Sequence, residues 1–180
     1  RIGGLVLYTE VVTPSVEARL HLEAAEAQYR AVFDQVAMGV ARVSPDGQFL
    51  EVNDRLCAIT GYGRDELHDM RFQTITHPDD LGSDLAKVAA LLAGETQTFS
   101  MEKRYLTKAG DAVWTNLTVS LVRTGAGEPA YVVSIIEDIT ARKQVEAEQR
   151  QYQSQLRLMI HELNHRVKNT LATEQSMAAR

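Results

Sequence analysis

Apolar and polar residues alternate between Val113 and Leu121: Val113, Leu117, Val119 and Leu121 share one face, and Trp114, Asn116, Thr118 and Ser120 the other. This period of two predicts a half-buried strand from Val113 to Val122. Thr98 to Leu106 and Ala130 to Glu137 have strand composition on either side. The turn Thr107-Lys108-Ala109-Gly110-Asp111 and the loop from Arg123 to Pro129 join the three into an antiparallel meander. The polar face carries Trp114, which invites a helix or a second subunit to cover it. Upstream, Met38 to Val43 and Gln48 to Val52 read as two strands around the turn Ser44-Pro45-Asp46-Gly47. Between the two strand groups the pattern turns helical. Asn53 suits the N-cap of Asp54 to Thr60 and Gly61 its C-cap, and a further turn of helix lies near Arg64 to Leu67. His77-Pro78-Asp79-Asp80 opens a helix that runs through Leu81 to Leu92 until Gly94, with carboxylates at its positive dipole end.

The first residues repeat a layout found near the far end. Ile2 to Thr13 is an apolar, β-branched run followed by Pro14 and helix-forming sequence to Ala31, as Tyr131 to Thr140 is followed by a charged helix. Residues 1–13 are therefore expected to be the last strand of a preceding copy of the same domain, and 14–31 a linker helix. That strand would fray, pair with a neighbouring chain, or add to the main sheet as an edge. Residues 29–140 form the mixed domain. Because Arg1 is not Met, the chain is expected to be a piece of something longer.

From Ala141 to Ala179 there is neither Pro nor Gly, and Ala, Glu, Gln, Arg and Leu dominate, which predicts one long helix. At about 100° per residue, Leu156, Met159, Leu163 and Val167 fall on one stripe, with His161 and His165 roughly 180° away, in solvent. Val145, Tyr152, Leu156, Met159 and Leu163 have heptad-like spacing; Leu163, Val167 and Leu171 then step by fours, and Leu158 and Ile160 widen the face. That pattern fits a parallel homodimer that opens into a four-helix bundle; the alternative is a single amphipathic helix lying back on its own domain.

Composition narrows the function classes. With 44% hydrophobic residues the chain can bury a core, and a formal net charge of −5 argues against nucleic acid as a partner. A single Cys57 excludes an internal disulfide and fits a reducing, cytoplasmic setting. No apolar run reaches the roughly 18 residues that a membrane span needs, and no signal peptide is present.

Three readings compete for the histidines. Both are unremarkable on a solvated helix face. His161-Glu162-Leu163-Asn164-His165 also matches the H-E-x-x-H zinc pattern, but a hydrolase needs a third ligand and a cleft, and the sequence stays helical to its end. Thirdly, Asn164-His165-Arg166-Val167-Lys168-Asn169, extended by Thr170-Leu171-Ala172, resembles the phosphoacceptor box of the HWE/HisKA_2 branch of sensor histidine kinases. The helical wheel does not choose between His161 and His165; the resemblance implies His165 as the phosphoacceptor, with Arg166, Lys168 and Asn169 as its neighbours. A neutral imidazole, with a pKa near ~6.5, can attack a γ-phosphoryl group through a ring nitrogen. Residues 141–180 then combine a signalling helix with the start of the acceptor helix. The family's ATP-binding domain, which would use ATP and Mg, is absent from these 180 residues, so the fragment is not expected to autophosphorylate alone. The implied partners are that ATP-binding domain, a response regulator and a second copy of the chain.

The mixed domain resembles the PAS sensor fold, an α+β architecture with a five-stranded antiparallel sheet and short helices on one face. The resemblance rests on Phe33-Asp34, Met38-Gly39, Asp46-Gly47, Val52-Asn53, Gly61-Tyr62, His77-Pro78-Asp79-Asp80, Gly110 with Trp114, and Glu137-Asp138-Ile139-Thr140. Flavin-binding relatives carry a reactive Cys where Asp69-Met70-Arg71-Phe72-Gln73 has Met70, and a thioether forms no attacking thiolate. Haem-binding relatives place an axial His on the long helix, and Leu81 to Leu92 has none; His68 and His77 read as loop imidazoles. The expectation is no cofactor, or a small ligand the residues do not name. The competing functional reading is a non-enzymatic PAS interaction module that feeds another output domain.

Overall fold

A computed structural model describes the backbone of residues 14–178 and the side chains of residues 18–163. The strand expected over residues 1–13, with the preceding repeat it would close, lies outside the described residues. The elements are α1 (Pro14–Gln35), β1 (Gly39–Val43), β2 (Phe49–Val52), α2 (Asp54–Thr60), α3 (Arg64–His68), α4 (Phe72–Ile75), α5 (Pro78–Ala93), β3 (Thr98–Leu106), β4 (Ala112–Arg123), β5 (Pro129–Asp138) and α6 (Thr140–Ala178).

The five strands form one sheet in the order β2-β1-β5-β4-β3, and all four pairings are antiparallel. β5, last in sequence, is central; it pairs with β1 through Val40↔Ile135 and with β4 through Leu117↔Ile136. The inner face carries Ala41, Val43, Tyr105, Val113, Leu117, Val119, Val132 and Ile136, all buried, against Leu56, Ile59, Leu67, Phe72, Ile75 and Leu91 from the helices. The strand periodicity thus assigned the β4 faces correctly, with Thr115 added to the buried side.

Local chemistry explains the helix limits. Asn53 is fully buried and caps α2, its Oδ1 accepting from the Leu56 amide (3.0 Å) and from the Val40 amide (2.9 Å). Its Nδ2 donates to the carbonyls of Phe33 (2.9 Å) and Met38 (3.0 Å), so one side chain ties α1, β1 and α2 together. Gly61 and Gly94 end α2 and α5 at φ 76° and 82°, a left-handed conformation that disfavours any side chain. At the start of α5, His77 Nδ1 accepts from the Asp79 amide at 3.3 Å, and Pro78 sits in the first turn.

Beyond one-residue shifts at element ends, the structure differs from the sequence reading at α1, α4 and His68. α1 runs on to Gln35 because Phe33 is buried and Tyr29 stacks on it with ring centroids 5.4 Å apart, so tertiary packing extends the helix past Ala31. α4 was not anticipated: at four residues it is too short to display a helical period. His68, expected in a loop, is the last residue of α3.

Candidate functional site

Two places on this fold can do something beyond packing, and β3 lies between them. The first is the root of α6. The Thr140 amide donates to Asp138 Oδ1 at 2.9 Å, and the Lys143 amide to the Ile139 carbonyl at 2.9 Å, so the first turn of the helix is anchored from Ile139. The Thr140 hydroxyl is used elsewhere, accepting from the Trp114 amide at 3.1 Å, while the Ile139 amide donates to the Trp114 carbonyl at 2.9 Å. β4 and the first residue of α6 are thereby stitched backbone to hydroxyl.

Charge completes the joint. Arg142 Nη2 donates to Glu102 Oε1 at 2.6 Å, and Lys143 Nζ pairs with Glu102 Oε2. Lys143 and the Arg104 guanidinium each sit 5.2 Å from the Trp114 ring centroid. The indole, which the sequence reading expected a helix or a second subunit to cover, is partly covered by α6 and by β3. The Lys143 and Arg142 cations hold the Glu102 carboxyl below the usual range, and the same contact raises Lys143. Arg104 also grips the start of α5, meeting Asp80 at 2.8 Å and Asp79 at 3.1 Å, and holds the Asp80 carboxyl below its ordinary value.

Beyond this joint α6 runs free of the domain. Val145, Tyr152, Leu156, Leu158, Met159, Ile160 and Leu163 are all exposed, as is His161. His165, Arg166, Lys168 and Asn169 lie on the α6 backbone, but the expected outward orientation of His165 falls outside the described side chains. From Thr140 to His165 is 25 residues, about 38 Å of helix at ~1.5 Å per residue. No metal-binding group of His, Cys, Asp and Glu occurs among the described residues.

The second place is an interior cavity between the sheet and α5. Lys103 of β3 points inward, 0% exposed, and donates to Asp84 Oδ2 of α5 at 2.5 Å and to Thr76 Oγ1 at 3.1 Å. Its ammonium also lies 4.4 Å from the Tyr105 ring centroid and 5.2 Å from that of Phe72. Asp84 is 1% exposed, and its Oδ1 accepts no hydrogen bond among the described residues. Both groups line a cavity with about 20 Å³ of free space, together with half-buried Val88 and Leu92 and exposed Pro45. Burial pushes the Tyr105 phenol upward. The sequence reading missed this pair; the signal was the inward period Met101, Lys103, Tyr105, which places a lysine on the core face.

The other residues weighed for cofactors have packing roles. Met70 is partly buried against the core, Cys57 likewise with its thiol pushed up by burial, and His77 caps α5. Among the described residues no helix is long and apolar enough to cross a membrane.

Comparison with known proteins agrees with this geometry. The PAS fold family matches residues 49–136, and the HWE histidine kinase family matches residues 162–180. The chain is 41% identical over 140 residues to the probable diguanylate cyclase DgcE of Escherichia coli, covering 78% of this chain and 13% of that protein. It is 31% identical over 140 residues to the sensor histidine kinase TmoS of Ectopseudomonas mendocina, covering 78% of this chain and 14% of that one. The chain thus spans about one eighth of the length of the curated relatives it matches. Among solved structures, a sensory box histidine kinase/response regulator from Burkholderia thailandensis superposes with a TM-score of 0.55 at 27% identity, covering 77% of this chain and 98% of that one. The chain thus joins a PAS fold, whose last strand leads directly into the long helix α6, to a segment of that helix similar to the HWE histidine kinase family.

Proposed function

We propose that this chain is the sensor and acceptor portion of a two-component histidine kinase, with His165 as the residue that takes the γ-phosphoryl group of ATP. The observation that carries the reading is continuity: α6 begins on the sheet at Thr140 and runs unbroken to Ala178, through the segment matched by the HWE family. At about 38 Å from the domain, His165 is beyond the reach of any ligand in the PAS core, so the helix itself relays the signal. Arg166 and Lys168 supply local positive charge to an incoming nucleotide, and Asn169 completes the acceptor box.

The exposed apolar residues of α6 support a parallel homodimer, since a stripe of this length is costly to leave in water. ATP and Mg serve the ATP-binding domain, the phosphoryl group passes on to a response regulator, and the PAS core carries neither flavin nor haem. The full-length protein with labelled ATP tests the assignment. Label is expected on wild type and on His161→Ala and not on His165→Ala; label surviving in His165→Ala overturns it.

The second reading keeps the PAS domain and changes the output. It is favoured by the 41% identity to a probable diguanylate cyclase, since the sensor module by itself does not fix what it drives. Absence of histidine label from a folded, ATP-binding full-length protein would select that reading.

A further inference from the structure

Arg142 and Lys143 stand in the first turn of α6, at the positive end of the helix dipole, where cations are disfavoured. They need a carboxylate nearby in any arrangement of the helix. Glu102 on β3 is the close one, meeting Arg142 Nη2 at 2.6 Å and pairing with Lys143 Nζ. A second carboxylate stands on α6 itself. Glu146 Oε2 lies 3.5 Å from Lys143 Nζ, and Glu146 Oε1 lies 3.8 Å from Arg142 Nη1, both longer than the contact of Arg142 with Glu102. The same two cations thus face one carboxylate that belongs to the sheet and another that travels with the helix.

The two fastenings at the root of α6 differ in kind. The bonds of Ile139 and Thr140 to the Trp114 backbone lie at the very start of the helix and suit a pivot. The Glu102 clasp lies just beyond them and is made by surface side chains, whose ion pairs are weak and readily exchanged. We propose that Glu146 is a positioning residue for the relay: when α6 tilts off β3, Arg142 and Lys143 pass from Glu102 to Glu146, so neither cation is left unpaired at the positive end of the helix. Competition between the two carboxylates brings the docked and released arrangements close in free energy, as a two-state element requires. A tilt about Thr140 is magnified over the ~38 Å to His165. The proposal rests on the reading of α6 as the relay and deepens it by naming the residue that makes its second arrangement reachable.

Trp114 is the single tryptophan of the chain, and its ring centroid lies 5.2 Å from Lys143, so its fluorescence reports whether α6 is docked. Acrylamide quenching is measured on the purified chain in urea just below the unfolding transition of the domain, where local openings are populated. Glu102→Gln is expected to raise quenching and Glu146→Gln to lower it, each through a change of about twofold in the ratio of released to docked helix. The double variant is expected to match Glu102→Gln, since without the clasp Glu146 has nothing to compete with. Glu146→Gln quenched as much as wild type or more, or Glu102→Gln quenched no more than wild type, overturns the proposal. So does a double variant that returns to the wild-type value, where the two charges would act independently. In the full-length protein with labelled ATP, the two single variants are expected to move His165 labelling in opposite directions. The quenching order in a protein whose histidine takes no label supports the exchange and sinks the kinase reading. Opposed labelling without that order overturns the exchange alone.

Discussion

Glu102 and Lys103 are neighbours on β3 that work on opposite sides of the sheet. Lys103 is buried against Asp84 of α5, while Glu102 pairs with Arg142 and Lys143 at the root of α6. A strand's alternation makes this automatic: any shift of β3 that moves one side chain moves the other. The interior cavity and the output helix therefore share one backbone segment, with Trp114 and its two cations as the bearing between them.

The first prediction follows from that joint. Glu102→Gln removes a charge that two cations share on the surface, where screening keeps ion pairs weak, so the unfolding midpoint is expected to change little. Amide hydrogen exchange of residues 139–146 is expected to speed up, because α6 loses its grip on β3. Unchanged exchange there would show that Trp114 and Thr140 hold the helix alone.

The buried pair predicts a non-additive cycle. Asp84→Leu alone leaves a buried ammonium without its carboxylate and is expected to cost about 3–5 kcal/mol in urea unfolding. Lys103→Met alone leaves the carboxylate and costs a similar amount, on the order of 3 kcal/mol. The double variant is expected within about 1 kcal/mol of wild type, or above it. Additive losses would mean that the two residues act separately.

Asn53 uses its whole hydrogen-bonding capacity in the described core, accepting twice and donating twice. Asn53→Ala is therefore expected to cost more than a lost helix cap, about 2–4 kcal/mol, since two amides and two carbonyls lose partners together. Asn53→Asp keeps the acceptors, loses both donors and buries a charge, and is expected to be no better. Thermal unfolding of the two variants checks this.

Much of this was legible before any coordinates, for local reasons. Asn53 and Gly61 mark α2 because capping chemistry acts within one turn, and His77-Pro78 with Gly94 mark α5 in the same way. The α6 segment that the HWE histidine kinase family matches was legible as a contiguous motif. What stayed hidden is long-range. Asp84 and Lys103 are 19 residues apart, and a charged residue read singly is assigned to solvent. The hydroxyl of Thr140, a residue type common at helix caps, is used by the Trp114 amide, 26 residues away.

Acid should loosen the start of α5. Asp80 is held below its ordinary pKa, chiefly by the Arg104 guanidinium, which meets it at 2.9 and 2.8 Å. For a carboxyl lowered on folding, the stabilisation is present above the unfolded value, about 3.9, and is lost as pH falls through the folded one. Wild type is therefore expected to lose stability below about pH 4, while Asp80→Asn starts lower and shows a flatter acid limb. Parallel curves for the two proteins would remove Asp80 from the acid transition.

The exposed stripe of α6 yields the last prediction. Leu156 and Leu163 are seven residues apart and 40% and 62% exposed, so each copy leaves the same apolar seam in water. A parallel pair places Leu156 against Leu156 and Leu163 against Leu163, and a carboxylate at both positions would set like charges face to face across the dimer axis. Leu156→Glu with Leu163→Glu is expected to turn a dimer into a monomer by light scattering. The melting of the PAS domain should stay unchanged, because neither side chain belongs to its core. A wild-type chain that is monomeric at high concentration, or a double variant that remains dimeric, would move the dimer contact away from this seam, and α1 and the sheet would become the surfaces to probe.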